Sequence, residues 1–397
     1  MIIRLKEQKL LQGAMLWAML SYAVVSFTVF AFMQVVSYLC LGLCFLSFIV
    51  MALLCLKHPR MTKLEAWTTA YFVLLIVFTL LNGTSIKDCI YNAVLVFLLL
   101  MLFNYFADHF DVTVKACALI FSLIIYANLA IMIMFPDWMF AAEDSFYSYL
   151  LGGNYNQMGG RMICGLITNL LCLRFGKVWL INIIPLFIIS MITLLMVGSM
   201  TSSFCILLFI LLIILPSLKL QKWVLAGYFC FYILFQTIVC FSGEGLHNNP
   251  IAVYIIEDFL GKDLSFSYRT TMWDAAGKLF AQSPIWGYGW VDNDWYLANL
   301  SSLARGPHNF IYSILLNGGL LLMTVFLAMC WLTVRQVLAH KIDRLYITLL
   351  LGIQTWLFMG TMEVYPPFFI VYLMLLAYNY PSLQSQTSER NDGNQIT

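Results

Sequence analysis

Apolar runs of about twenty residues recur along this 397-residue chain, and they fix its class of fold. A membrane-crossing helix needs about 20 predominantly apolar residues. Runs of that kind are read at roughly 14–32, 36–56, 66–82, 89–106, 116–135, 157–173, 178–197, 202–216, 223–241, 310–333, 345–361 and 365–380, about twelve in all. Composition agrees: 62% of the residues are hydrophobic and 10% charged, against about 45–50% and about 25% for soluble domains. The chain is therefore expected to be an all-α polytopic membrane protein. Residues 178–216 are too long for one helix. Gly198-Ser199-Met200-Thr201-Ser202-Ser203 breaks them, so two short helices with a polar turn are expected there. A net charge of +2 gives no argument for nucleic acid. No cleavable leader is expected, because Met1–Gly13 is charged and the run after it is long enough to span.

Lysine and arginine set the orientation. With the N-terminus cytoplasmic, 15 of the 21 basic residues fall inside and six outside: Lys87, Arg161, Lys262, Arg269, Lys278 and Arg305. Many acidic residues, among them Asp263, Asp274 and Glu363, fall outside. Both termini are then cytoplasmic. The organisation expected is nine spans in 1–241, a large outer loop in 242–309, three spans in 310–380 and a disordered cytoplasmic tail in 381–397.

A loop of that length without a role is uncommon. Ser267–Phe280 carries Tyr268, Met272, Ala276 and Leu279 near one helical face, with Trp273 and Phe280 beside it, and reads as an amphipathic helix on the membrane surface. Ser283-Pro284-Ile285-Trp286-Gly287-Tyr288-Gly289-Trp290 reads as a tight aromatic turn. A shorter outer segment, about 136–156, ends in Gly152–Arg161. Eleven cysteines lie almost wholly in apolar runs with no CxxC or Cys/His cluster, so neither a disulfide framework nor a metal site is expected.

Candidate chemistry gathers at the end of the long loop. In Arg305-Gly306-Pro307-His308-Asn309-Phe310, Asn309 is placed to cap the helix that follows, whose positive end faces the loop. Gly318-Gly319 within that helix would admit the close approach of another helix or a lipid. Arginine offers a planar, permanently charged fork for phosphate oxygens, so Arg269 and Arg305 are candidate diphosphate ligands; pairing with Asp263 or Asp274 is the plainer alternative. His308 is a candidate proton acceptor or simply an interfacial capping residue. Arg161 begins a span and either faces a cavity or extends to the interface. Asn154 and Asn156 read as sugar ligands or turn residues. Trp273, Tyr288 and the loop aromatics Trp286, Trp290, Trp295 and Tyr296 suit sugar stacking and an interfacial belt equally.

The ordered set Arg269-x-x-x-Trp273, Pro284-x-x-Gly287-x-Gly289 and His308-Asn309 opening a span with Gly318-Gly319 resembles the O-antigen ligase/polymerase superfamily. The overall plan of spans around one large outer loop is similar as well. The resemblance implies a GT-C-like membrane fold and an inverting, metal-independent glycosyltransferase without cofactor. Its substrate would be an oligosaccharide held on undecaprenyl diphosphate at the outer face of a bacterial cytoplasmic membrane. Arg269 would meet the diphosphate and His308 would be the essential histidine, both catalytic. Arg161, Arg305, Asn309, Trp273 and Tyr288 would bind substrate. The family's Ser-Arg pair is missing its arginine where this chain has 198–203. The activity implied is polymerisation of repeat units into O-antigen, capsule or exopolysaccharide. The alternatives are ligation to a lipid, protein or wall acceptor, and transport by a flippase. Membrane lipid, a chain-length regulator and a flippase would be the partners, with no nucleic acid.

Overall fold

A computed structural model describes residues 13, 34–57, 60–136, 157–259, 263–266, 268–302 and 304–393. The first apolar run, most of the outer segment 136–156 with Asn154 and Asn156, and the last four residues lie outside the described residues. The described residues are helical with no strand. In chain order the principal helices are α1 Gln34–Lys57, α2 Lys63–Asn82, α3 Ile86–Tyr105, α4 Phe110–Met134, α5 Met158–Leu171, α6 Leu180–Met196, α7 Met200–Ile213, α8 Leu218–Phe235, α9 Arg269–Gln282, α10 Asn293–Asn299, α11 Phe310–Leu338, α12 Arg344–Met359 and α13 Pro367–Gly393. Seven described helical segments are long and apolar enough to cross a membrane. The apolar helices α7 and α12 are shorter, and the run at 157–173 folds as the 14-residue α5.

The helices sort by how their surfaces are covered. Every residue of α5 is buried, because α4, α6, α7, α12 and α13 pack round it. Along α13, Phe368–Ala377 is buried throughout. By contrast α1, α6 and α8 leave Leu53, Ile181, Trp223 and Phe229 exposed, a face suited to lipid. Burying apolar surface gives little drive between helices in lipid, so close approach and polar contacts hold them. Between α4, α5 and α6, the Asn182 amide donates to Ser122 at 2.9 Å and Asn169 at 2.8 Å, and the Tyr126 hydroxyl donates to Asn182 at 2.7 Å.

Connecting segments meet at two ends of the bundle. At one end Arg60 pairs with Asp108, Arg174 with Asp343, and Arg344 donates to the Leu215 carbonyl. Asp343 also caps α12 by accepting from the Tyr346 N–H at 2.9 Å. The tail expected to be disordered is instead helical to Gly393. Buried Leu383 and the contacts of Gln384 with Asp343 and of Gln386 with the Ala107 and Asp108 carbonyls hold its first turns to this end.

At the other end the 242–309 loop folds into a helical cap with its own core. Leu246, Leu264, Met272, Trp273, Ala276, Tyr296 and Leu300 pack there against Tyr312, Leu315 and Leu316 of α11. The buried face of α9 carries Thr270, Met272, Trp273 and Ala276. Its apolar residues therefore pack on protein, where a membrane-surface helix had been expected.

The 29-residue α11 is two helices joined at a break. Gly318 (φ −151°, ψ 16°) and Gly319 (φ 59°, ψ −155°) leave helical geometry, which would strand carbonyls before the break and N–H groups after it. The aromatic turn supplies both sets of partners. Tyr288 and Gly289 N–H groups donate to the Leu316 and Asn317 carbonyls at 2.7 and 2.9 Å. Leu320 and Leu321 N–H groups donate to the Pro284 and Ile285 carbonyls at 2.8 and 3.1 Å. The close approach expected at Gly318-Gly319 is thus made by the chain's own loop backbone.

Candidate functional site

The site is assembled on Gly360–Tyr365, the short connection between α12 and α13. Its backbone and side chains receive residues from three distant parts of the sequence. The Phe310 N–H donates to the Gly360 carbonyl at 2.7 Å. The Asn309 amide donates to the Thr361 carbonyl at 3.1 Å. Arg269 donates through Nε to the Met362 carbonyl at 2.9 Å. His308 Nδ1 lies 3.1 Å from Glu363 Oε1 and 3.2 Å from Oε2. Gln157 donates to the Val364 carbonyl at 2.8 Å. A Cβ on Gly160 would lie 2.4 Å from the Tyr365 ring, so that glycine lets α5 sit against the segment.

Local backbone explains how His308 and Arg269 are aimed. Among the described residues, the non-glycine residues with positive φ are Phe266 (46°), Tyr268 (66°) and His308 (44°). Two lie just before the start of α9, and the third is His308 itself. Such conformations cost on the order of 1–3 kcal/mol each and persist where surroundings over-determine them. Asn309 supplies that restraint beside His308. Its Oδ1 accepts the Tyr312 N–H at 3.0 Å, as expected of the cap. Its amide forms a reciprocal pair with Gln236, at 3.1 and 3.3 Å. Asn309 is fully buried with its polar atoms engaged, so it positions His308 and presents nothing to a substrate.

Glu363 is 5% exposed. Burial pushes its carboxyl up, but the charge and hydrogen bond of His308, the Val364 N–H and the charge of Arg269 outweigh burial and hold it below its ordinary value. The carboxylate at the centre of the site is thereby kept ionised. With Nδ1 engaged by Glu363, the other imidazole nitrogen, Nε2, is the one left to meet a hydroxyl. Arg269 spends Nε on Met362 and an Nη1 hydrogen on Phe266, the latter at 3.0 Å. A guanidinium has five N–H groups, so it keeps donors for an anion. Its anchor and that of His308 are consecutive residues, whose Cα atoms are about 3.8 Å apart.

Other expected residues are placed differently. Arg161 is 2% exposed and lies over the Phe369 ring, 5.9 Å from its centroid. It lines a cavity of about 290 Å³ beside the segment, with Tyr365. Arg305 is exposed on the cap surface. Trp273, expected to bind substrate, has no exposed surface and packs on Phe266 in the cap core. Tyr288, also expected to bind substrate, gives its hydroxyl to the Leu279 carbonyl at 2.8 Å and its ring to Trp295. Both therefore build the cap. Glu363 was read from the sequence only as an outer acidic residue. The available signal was its position as the one acidic residue in a short connection between two apolar runs. Among the described residues, no cluster of histidine, cysteine and carboxylate side chains could hold a metal.

Residues 185–327 match the model of the O-antigen ligase family. That range takes in Arg269, the aromatic turn, His308 and the break in α11, and leaves out Arg161 and Glu363. No curated protein matches the chain. The match covers a little over a third of the chain; with the all-helical membrane fold and the capping loop, it supports the resemblance to the O-antigen ligase/polymerase superfamily.

Proposed function

We propose that this protein is a polymerase of oligosaccharide repeat units carried on undecaprenyl diphosphate, acting at the outer face of the cytoplasmic membrane. The observation that carries the reading is the buried Glu363 holding His308 Nδ1, with Arg269 anchored on the adjacent carbonyl. In the proposed step, His308 Nε2 takes the proton of an acceptor sugar hydroxyl. The hydroxyl oxygen attacks the anomeric carbon of the donor glycan. The bond from that carbon to the diphosphate oxygen breaks, and undecaprenyl diphosphate leaves with the electron pair. Arg269 offsets the charge of the departing diphosphate, an electrostatic contribution of several kcal/mol in comparable sites. Attack opposite the leaving group inverts the anomeric centre. With His308 as base and Arg269 as the countercharge, the step draws on no metal.

The test is His308→Ala in a producing strain. Lipid carriers bearing single repeat units should accumulate and polymer should disappear, since a positioned base contributes about 10²–10⁴-fold. Normal chain length in that strain would sink the assignment. The family description favours ligation as a second reading. A deletion strain separates the two: loss of a polymerase leaves single units on the carrier, and loss of a ligase leaves long lipid-linked polymer.

A further inference from the structure

The cavity beside the site has a composition of its own. Its lining includes Asn92, Gln157, Trp290, Tyr296, Ser313 and Asn317. Among the described residues, Arg161 is the one charged residue lining it, and no carboxylate does so. Neither His308 nor Arg269 lines it. Asn317 is 7% exposed, and its side-chain Oδ1 is a buried acceptor with no hydrogen-bond partner among the described residues. Leaving such a group unsatisfied is costly, and an acceptor on a cavity wall is satisfied by a ligand that brings a donor.

The geometry points to this cavity as a saccharide subsite, in which a sugar hydroxyl donates to Asn317 Oδ1. This inference rests on the proposed function and extends it to residues outside the matched region's histidine and arginine. A diphosphate is a poor fit, because a single guanidinium among amides, rings and prolines supplies too little positive charge. A sugar ring fits better: the amides of Asn92, Gln157 and Asn317 suit hydroxyls, and the half-buried Trp290 supplies an aromatic residue to the wall. At about 290 Å³ the cavity is at the small end for ligand pockets, which run to about 300–1,000 Å³, so it takes one end of a glycan. Ser313 is one helical turn beyond Asn309, about 6 Å along the axis at 1.5 Å per residue. Asn317 is a further turn on. A sugar there would be next along the chain from one reacting at His308. It could belong to the acceptor or to the donor glycan.

The experiment uses the full chain in detergent and the lipid-free oligosaccharide released by mild acid from the producing strain's own lipid-linked repeat unit. Binding is followed by calorimetry and by intrinsic tryptophan fluorescence, with Trp290→Phe as the control that assigns the signal to the cavity. Wild type should bind saturably, and Asn317→Ala should weaken binding roughly 3- to 10-fold, the effect of one neutral hydrogen bond. This change is structurally mild, because the one contact of Asn317 to the inserted turn is through its backbone carbonyl. Asn92→Ala is the second variant; its amide donates to the Asp88 carbonyl of its own helix at 2.9 Å. Unchanged affinity in both variants overturns the subsite. In turnover assays, a KM rise confined to the acceptor assigns the cavity to the acceptor glycan, and one confined to the donor assigns it to the donor. Outcomes at His308 are separate. Polymer surviving in His308→Ala would defeat the proposed function while leaving saccharide binding intact; weakened binding in Asn317→Ala concerns the subsite alone.

Discussion

At the scale of single residues, the site turns on what Glu363 does to His308. A carboxylate accepts the Nδ1 proton and leaves the Nε2 lone pair facing out, which is the tautomer a base needs. Glu363→Gln keeps the shape, but its amide can donate to Nδ1 and move the proton to Nε2. Transfer activity should fall at least about 10²-fold, by the logic that applies to a carboxylate orienting a catalytic histidine, with folding retained. Activity within about threefold of wild type would remove Glu363 from the mechanism. The pH dependence has a definite sign. The Glu363 carboxyl is held below its ordinary value of 4.5 in the fold. It therefore contributes stability at pH above that ordinary value, and the contribution is lost as pH falls through the lowered value. Melting of wild type in detergent should drop across that acid window, and Glu363→Gln should show a flatter profile. His308 and Arg269 were legible in the sequence because a charged or titratable group at a loop-to-helix junction stands out. Glu363 was not, because its meaning depends on a histidine 55 positions away.

At the scale of elements, the break in α11 decides where His308 sits. The first half-helix, 310–317, is held at one end by Asn309 and at the other by the inserted Pro284–Gly289 turn. Gly319 occupies a φ/ψ region reached by glycine alone, and a Cβ there would lie 2.4 Å from the Ile285 carbonyl carbon and oxygen. Gly319→Ala should therefore cost roughly 3 kcal/mol or more and lower activity by displacing the half-helix. Gly198 provides the contrast: φ is 69°, but a Cβ would meet nothing within 4 Å, so Gly198→Ala should cost only about 1–2 kcal/mol. Thermal melting of the two purified variants checks the order, and equal losses would mean that the inserted turn does not brace α11. The sequence disclosed the glycine pair and the glycine-punctuated turn separately. That one docks into the other was out of reach, since backbone pairing of a loop with a broken helix leaves no periodic pattern. Trp273 and Tyr288 were misplaced for a related reason. Aromatic side chains look alike in sequence whether they build a cap or line a pocket.

At the scale of the whole molecule, the apolar runs revealed the helices, and the charge pattern sorted their connections. Segments assigned to one side do touch one another: Arg60 meets Asp108, and Arg174 meets Asp343. At the opposite end the Ser85 N–H donates to the Trp290 carbonyl at 3.0 Å, and Gln157 reaches Val364. What no run of residues could show is that Gly360–Tyr365 gathers α5, α9, α11 and the cap into one place, because those contacts join positions up to 207 apart. The excess of lysine and arginine at the first end predicts that it is cytoplasmic. An impermeant maleimide applied to intact cells tests this with two substitutions. Gly245→Cys lies in the cap, where a Cβ meets nothing within 4 Å. Lys341→Cys is exposed at the opposite end. With unsubstituted protein as background, Gly245→Cys should label at once and Lys341→Cys only after permeabilisation. The reverse pattern would put His308, Glu363 and Arg269 in the cytoplasm. A diphosphate-linked glycan already exported could not then reach them, so the proposed polymerase would fall with the orientation, whatever the activity of its histidine.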